Sequence, residues 1–504
     1  MSVFDQLAMG FNIALTLDNL GYCLLGSAIG TMVGVLPGIS PVTTIAMLLP
    51  ITFKIPAVSA MIMLAGIYYG AHHAGSTTAI MLNMPGEPSS VVICMDGHPM
   101  ARQGRAGVAL CIAAIGSFFA SCVGIIVITL FSPVLSEAGL LFGAPEYAAL
   151  VAVALMTASV MSTGHAVTTF GMAILGLLIG TVGTDVGTGL ERFTFSVPDL
   201  ADGVDFVSVA VGVFAFAEVA QHMGSPDRRK SFAVRFSELF PRLADLKQAF
   251  PAILRGTGLG AALGILPGTG PLVASFASYA LERQIAKDKS RFGKGAIEGV
   301  AGPESADNAA AMTHFIPMLG LGIPAGPAMA MMLGALTIQG VTPGPQLMTN
   351  HPDLFWGVVA SMWIGNVMLL VLNLPMIGVW IKFLSIPYRF LYPGIILFCC
   401  IGVYSVRNSA FDVLLAAALG LFGVLARQLN CSPAPLVLGL VLGPIFEENF
   451  RRSMTLSNGD PMIFFTHPIS AVLLVLSVAF VVTMSVSGVR KRKQDIVAVA
   501  DDAP

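Results

Sequence analysis

Eleven apolar runs dominate the sequence, at roughly 57–83, 106–131, 146–163, 166–184, 204–223, 308–338, 354–381, 385–405, 410–427, 433–447 and 468–487. Most approach the ~20 residues with which a helix crosses the hydrocarbon of a bilayer. The run at 433–447 is short, and 308–338 is interrupted by Pro and Gly. A chain with this pattern folds in lipid as helices, because the alternating ten-residue segments of a membrane β-barrel are absent. The charge content agrees. Only 11% of the 504 residues are charged and 55% are hydrophobic, whereas a soluble domain is about 25% charged. The predicted class is an all-α polytopic membrane protein with about 11–12 transmembrane helices.

Two further stretches cannot be straight helices. Residues 20–53 contain Gly34-Val35-Leu36-Pro37-Gly38-Ile39-Ser40-Pro41, and residues 256–281 contain Gly264-Ile265-Leu266-Pro267-Gly268-Thr269-Gly270-Pro271. The second lies between two basic segments, one with Arg228, Arg229, Lys230, Arg235, Arg242, Lys247 and Arg255, the other with Arg283, Lys287, Lys289, Arg291 and Lys294. Basic loops stay in the cytoplasm, so a single crossing between them would leave one outside. A re-entrant hairpin reversing at the LPGTGP string resolves the conflict. Counting spans backwards makes the first hairpin enter from the outer face, where Asp18 and Lys54 flank it without a basic cluster. Counting forwards puts Arg451 outside and the tail Arg490-Lys491-Arg492-Lys493 inside.

The two hairpins belong to a repeat. Gly30 and Gly34 to Pro41 match Gly260 and Gly264 to Pro271 at an offset of 230, and each is followed by a second break, Leu82-Asn83-Met84-Pro85-Gly86-Glu87-Pro88 and Leu321-Gly322-Ile323-Pro324-Ala325-Gly326-Pro327. Entry from opposite faces makes the repeats inverted in topology, as in many secondary transporters. The expected organisation is a first inverted repeat at 1–223 (hairpin 20–53), a basic cytoplasmic linker at 224–255 and a second repeat at 256–450 (hairpin 256–281). An outer loop and final transmembrane helix follow at 451–487, then a basic cytoplasmic tail at 488–504. Residues 1–18 lack the basic start of a signal peptide and read as an interfacial helix.

Backbone groups freed by Pro and Gly must line a cavity or pack in protein. A half-helix beginning at such a break points free N–H groups and a positive dipole end at the cavity, which suits an anion. The substrate-binding candidates are therefore Gly38, Ser40, Pro41, Thr43, Thr44, Gly86, Ser89 and Ser90 in the first half, and Gly268, Thr269, Gly270 and Gly326 in the second, with Thr77, Thr78 and Ser275 nearby. For any one Ser or Thr the competing reading is a bond to its own helix. Ionisable groups at membrane depth are the ion-coupling candidates: His72, His73, Asp307 and Asn308, with Tyr68, Tyr69 and Glu304 beside them. Capping or a water-filled vestibule is the structural alternative. Asp96, with Arg102 and Arg105, reads as a loop-locking pair; Glu218, Glu447 and Glu448 read as snorkelling or gating groups at helix ends.

Several functions are excluded. The basic footprint that nucleic acid requires is missing. Gly-x-Ser-x-Gly, His-Glu-x-x-His and Walker A strings are absent, so the chain reads as no enzyme and no ATPase. The seven cysteines show no CxxC spacing and read as packing residues, neither disulfides nor metal ligands. No cofactor is implied beyond a coupling Na⁺ or H⁺. An ion-coupled carrier and a channel are the two surviving functions.

The two LPG strings, the Leu82–Pro88 break, Asp96-Gly97-His98-Pro99-Met100-Ala101-Arg102-Gln103-Gly104-Arg105-Ala106-Gly107, Phe292-Gly293-Lys294-Gly295, Gly320-Leu321-Gly322-Ile323-Pro324 and Thr342-Pro343-Gly344-Pro345 together resemble the large membrane subunit of the tripartite tricarboxylate transporter (TctA) family. The resemblance implies a bacterial inner-membrane, cation-coupled uptake system, with the C-terminus cytoplasmic. Its implied partners are a small four-span membrane subunit and a periplasmic solute-binding protein that delivers a carboxylate. An acid at Asp307 and imidazoles at His72 and His73 depart from the family pattern and leave H⁺ open beside Na⁺.

Overall fold

The computed structural model describes residues 2–36, 39–139, 141–161, 166–185, 187–222, 239–266, 270–376, 378–380 and 388–485. They are nearly all helical. In chain order the helices are α1 (Val3–Ala14), α2 (Leu17–Val35), α3 (Pro41–Thr52), α4 (Ala57–Leu82), α5 (Val91–Arg102), α6 (Ala106–Gly139), α7 (Ala144–Met161), α8 (Ala166–Gly180), α9 (Phe206–Ala210), α10 (Ala217–His222), α11 (Leu243–Gly264), α12 (Gly270–Ile285), α13 (Glu298–Thr313), α14 (Phe315–Leu321), α15 (Pro327–Ile338), α16 (Leu347–Asn350), α17 (Pro352–Asn373), α18 (Tyr388–Arg407), α19 (Ala410–Gln428), α20 (Ala434–Leu456), α21 (Ile463–Thr466) and α22 (Pro468–Ser485). A π-helical segment, Val211–Phe216, joins α9 to α10. Gly183–Thr184 and Glu191–Arg192 pair as a short antiparallel ribbon.

Among the described residues, Ala106–Phe131, α17 and α19 are each long and apolar enough to cross a membrane. The bent pair α1 and α2, with 82° between its helices, passes the same test as a unit. Several other apolar helices are shorter, including α3 and α15 at 12 residues each. At 1.5 Å per residue such a helix covers about 18 Å, so it crosses a bilayer only in combination. Exposed Leu130, Leu414, Leu421 and Val475 are the kind of surface that lipid, not water, accommodates.

Helix ends follow Pro and small polar residues. Ser40 caps α3, its hydroxyl accepting from Thr43 N–H, and Pro41 occupies the first turn, where a missing N–H costs nothing. The ends of α4 and α14 use left-handed residues, Asn83 (φ 59°) and Gly322 (φ 71°), which stop a helix without strain for Gly and with little for Asn. Several predicted runs differ from the helices: α6 continues to Gly139 past the predicted 131, α17 ends at Asn373 before the predicted 381, and the 308–338 run is divided among α13, α14 and α15. α13 begins at Glu298, ten residues before the predicted 308, and α20 continues to Leu456 past the predicted 447.

The centre of the protein is α4 and α13. Every residue from Ser59 to Met81 and from Gly299 to Thr313 is buried, so polar groups on either helix must find partners inside the protein. Each helix is held by a glycine ridge on a neighbour. A Cβ on Gly26, Gly30 or Gly34 of α2 would overlap the backbone of Met63, Ile67 or Ala71 in α4. On α11, a Cβ at Gly256, Gly260 or Gly264 would overlap the backbone of Gly302, Ala306 or Ala310 in α13. Spacing of four between small residues permits this backbone contact, as in membrane helix pairs generally.

α11 and α12 fold back on one another. Arg255 on α11 bonds Glu282 on α12 at 2.6 and 2.8 Å, although 27 residues of continuous helix would separate them by about 40 Å. α2 and α3 instead diverge after residue 35, and α3 packs on α4, α15, α18 and the π-helical segment.

Polar pairs between distant loops fall into two sets. One joins Asp185 with Arg451, Arg192 with Glu447, Asp202 with Arg407, Glu146 with His467, and Thr52 with Gln339. The other joins Arg105 with Asp245, Gln103 with Lys294, Arg291 with Glu298, and Gln221 with Arg427. Helix α19 starts beside the Asp202–Arg407 pair and ends at the Gln221–Arg427 pair, so about 28 Å lies between those two pairs. That is close to the ~30 Å thickness of a hydrocarbon core.

Candidate functional site

A cluster of ionisable side chains lies where α4 meets α13. His72 Nδ1 stands 3.1 Å from Glu87 Oε2 and 3.2 Å from Asp307 Oδ1, so one imidazole nitrogen is shared by two carboxylates. Glu304 Oε1 accepts from the Ser117 hydroxyl at 2.6 Å and from Asn308 Nδ2 at 3.2 Å. Asn308 Nδ2 also donates to Ser117 Oγ at 2.9 Å. Tyr68 OH meets His314 Nδ1 at 3.0 Å, and the Tyr68 ring sits edge-on to His72. His73 lies beside Asn308. All of these residues are buried.

Three carboxylates thus face imidazoles, hydroxyls and an amide. Among the described residues, no Lys or Arg forms an ion pair with any of them. Burying such an excess of negative charge costs many kcal/mol unless cations accompany it. Among the described residues, Glu87 Oε1 and His314 Nε2 are buried without a hydrogen-bond partner, a pattern that water, a cation or a ligand group satisfies.

The broken segments adjoin this cluster. Thr78 in α4 donates to the carbonyls of Gly34 and Val35, at the first break. A Cβ at Gly86 would overlap the Gly34 carbonyl, so the first two breaks touch. Glu87 follows directly, and Ser90 closes its turn by donating to the Glu87 carbonyl. Ser89 lies 3.5 Å from Glu87 Oε2. In the second half, Gly326 stands against the His314 ring, and Ser275 donates to the Pro303 carbonyl.

The start of α3 forms a second polar centre. Ser40 N–H donates to Glu218 Oε1 at 2.6 Å, and the Ser40 and Thr43 hydroxyls reach Glu218 Oε2 at 3.1 and 2.6 Å. Thr44 bonds back to the Ser40 carbonyl, the helix-internal role expected of an isolated threonine.

The sequence-based candidates separate accordingly. His72, His73, Asp307 and Asn308 come together; Ser40 and Thr43 share one carboxylate. Pro41 opens α3, and Gly270 opens α12 with φ 62° and open space around it. Gly38, Gly268 and Thr269 lie outside the described residues. Sequence reasoning did not place Ser117 or His314 in the cluster, since a lone Ser or His in an apolar run carries no periodic signal. Glu87 was legible only as a letter of the Leu82–Pro88 break.

Two expectations are corrected. Asp96 does not lock onto Arg102 or Arg105; it lies inside α5, fully buried, and accepts from the Gly295 and Ala296 N–H groups and from Tyr279 OH. Arg105 pairs with Asp245 instead. Glu218 does not snorkel, because its carboxylate is turned onto α3. Glu447 is a loop tie, bonded to Arg192 and Arg451. In the same group the Thr188 hydroxyl, the Gly187 N–H and Arg451 hold the Asp185 carboxyl down at about 2.

No solved structure matches the chain. It is 50% identical, over the full length of both, to an uncharacterized 52.8 kDa protein in the TAR-I ttuC′ 3′ region of Agrobacterium vitis. Over 243 residues, 48% of this chain and all of the relative, it is 54% identical to an uncharacterized protein in the TAR-II ttuC′ 3′ region of the same organism. The tripartite tricarboxylate transporter TctA family matches residues 20–438, which include the first break, the α4–α13 cluster and Glu218. The chain belongs to the tripartite tricarboxylate transporter TctA family.

Proposed function

We propose that the protein is the large membrane subunit of a binding-protein-dependent secondary transporter that takes up a tricarboxylate or related carboxylate by cation symport. The observation that carries this reading is the buried cluster of Glu87, Glu304 and Asp307 around His72, a negative site inside an apolar protein that needs a cation to be neutral. Coupling follows if that cation, Na⁺ or H⁺, loads with the substrate and leaves with it. The substrate carboxylates bind at the half-helix starts near Ser40, Thr43, Ser89 and Ser90 and at Gly268, Thr269, Gly270 and Gly326, since helix-end N–H groups suit an anion.

The matched glycine ridges, together with Asn83 and Gly322 at equivalent helix ends, support two repeats. The two sets of loop pairs support their inversion, since each pair joins residues that span counting assigns to one face. The arrangement has a small four-span subunit and a periplasmic binding protein as partners, in a bacterial inner membrane with the C-terminus cytoplasmic.

Reconstitution tests the proposal. Proteoliposomes holding both membrane subunits are supplied with the binding protein, a carboxylate panel and imposed Na⁺ or H⁺ gradients. Saturable uptake that requires the binding protein and one gradient is expected. Unsaturable flux without the binding protein would make the protein a channel.

A further inference from the structure

We infer that Glu218 is a built-in competitor for the substrate, seated in a carboxylate subsite at the start of α3 and displaced onto Arg427 when the substrate's carboxylate arrives. The inference rests on the reading of Ser40 and Thr43 as substrate donors.

Glu218 does at this helix end what a bound carboxylate would do. Its two oxygens take the Ser40 N–H and the hydroxyls of Ser40 and Thr43, three charge-assisted bonds at the positive end of a helix dipole. The side chain is about nine-tenths buried, and its α-carbon lies 178 residues away from Ser40 in sequence. A helix needs no such distant partner to be capped, because the Ser40 hydroxyl already accepts from Thr43 N–H.

Two features make the position switchable. Arg427 NH2 stands 3.7 Å from Glu218 Oε2, and Arg427 NH1 is steered there by Gln221 Oε1 at 2.9 Å. A partly exposed cationic partner therefore already pairs with the seated carboxylate and can keep it when the Ser40 and Thr43 bonds are given up. Glu218 is also the second residue of α10, which follows directly on the π-helical segment Val211–Phe216. Such segments close each hydrogen bond over one residue more than an α-helix and cluster at functional sites. Tightening this one to α geometry would rotate α10 relative to α9 and turn Glu218 away from Ser40.

A self-occupied subsite lowers apparent affinity by the fraction of molecules in which it is free. The device admits only anions that compete with an intramolecular carboxylate, and it returns Glu218 to the site after release.

The test uses the purified full chain in detergent, with citrate, tricarballylate and succinate as probes and the carboxylate concentration giving half-maximal thermal protection as readout. Glu218→Gln, nearly isosteric and uncharged, is expected to be protected at roughly tenfold lower concentration than the parent. Arg427→Gln, which removes the alternative partner, is expected to need roughly tenfold more, and the double variant should behave as Glu218→Gln. Glu218→Asp, with a shorter reach, should shift in the same direction as Glu218→Gln by less, which guards against a folding defect in one variant. Glu218→Gln protected no better than the parent by every probe, or both single variants shifting in one direction, overturns the inference. Thr43→Val separates the two readings. If it weakens protection while Glu218→Gln does not tighten it, the subsite stands and the competitor fails; if Thr43→Val changes nothing, the subsite itself is elsewhere.

Discussion

Replacing Asp307 with Asn should separate substrate accumulation from substrate binding. The substitution keeps the size of the side chain and an acceptor for His72, so the fully buried α13 retains its packing. It removes one of the two carboxylates that share His72 Nδ1, at 3.2 Å against 3.1 Å for Glu87. A unit charge pair at that separation is worth about 5 kcal/mol with an effective dielectric of 20, before desolvation. Loss of that attraction lowers cation occupancy by more than about a thousandfold, since 1.4 kcal/mol is a factor of ten. A carrier that leaves one cation behind forfeits about 2.3 kcal/mol per 100 mV of gradient, which is an accumulation ratio about fiftyfold lower. The assay compares steady-state accumulation of labelled citrate with counterflow exchange in the reconstituted three-component system. Asp307→Asn should exchange substrate and fail to concentrate it. Accumulation equal to the parent would refute the assignment of the coupling cation to this cluster.

Other outcomes follow from the same geometry. Gly30→Val and Gly260→Val push a side chain into the facing backbone and should destabilise the protein by about 1–3 kcal/mol, read as a drop in detergent melting temperature; Gly258→Ala, which meets open space, should not. Asp185, with its folded value lowered to about 2, contributes stability that is fully present above its unfolded value near 3.8 and is lost as pH falls through about 2. Asp185→Asn should therefore lower the melting temperature at neutral pH and flatten its acid limb, and an unchanged acid limb would show that Asp185 is not its source. A single cysteine placed at Ser290 should be labelled only from the cytoplasmic face, and periplasmic labelling would sink the re-entrant topology of α11 and α12.

Much of the helical layout was legible because Pro and Gly punctuate it. Pro56 and Asn83 bracket α4, and Pro352 opens α17, at positions where the apolar runs also begin or end. The start of α13 was not legible. Glu298, Pro303, Glu304 and Asp307 have the composition of a loop, and the segment is helical because α6, α11 and α12 bury it from Gly299 onward and supply partners such as Ser117. The fold-back of α11 on α12 matches the reversal expected from charge placement, while its re-entry from one membrane face is the part that labelling at Ser290 tests. The contrary behaviour of α2 and α3 was not, because the same Leu-Pro-Gly string frees the chain to turn without saying which neighbour it will meet. The Glu218 contact joins residues 178 apart, a separation at which pattern and propensity carry no information.

The glycine ridges also dictate how such a protein can move. Where backbone lies directly on backbone, no layer of side chains exists that could change rotamer and let one helix slide along the other. α2 with α4, and α11 with α13, are therefore mechanically single struts. In the proposed carrier, shape changes would then fall on the joints around them: the arms α3 and α12, the breaks at Asn83 and Gly322, and the loosely wound turn ahead of Glu218. One strut carries His72 and the other Glu304 and Asp307, with Glu87 on the turn beside them, so in the proposed carrier a tilt of one strut against the other would open or close the cluster as a hinge pin is loaded or released.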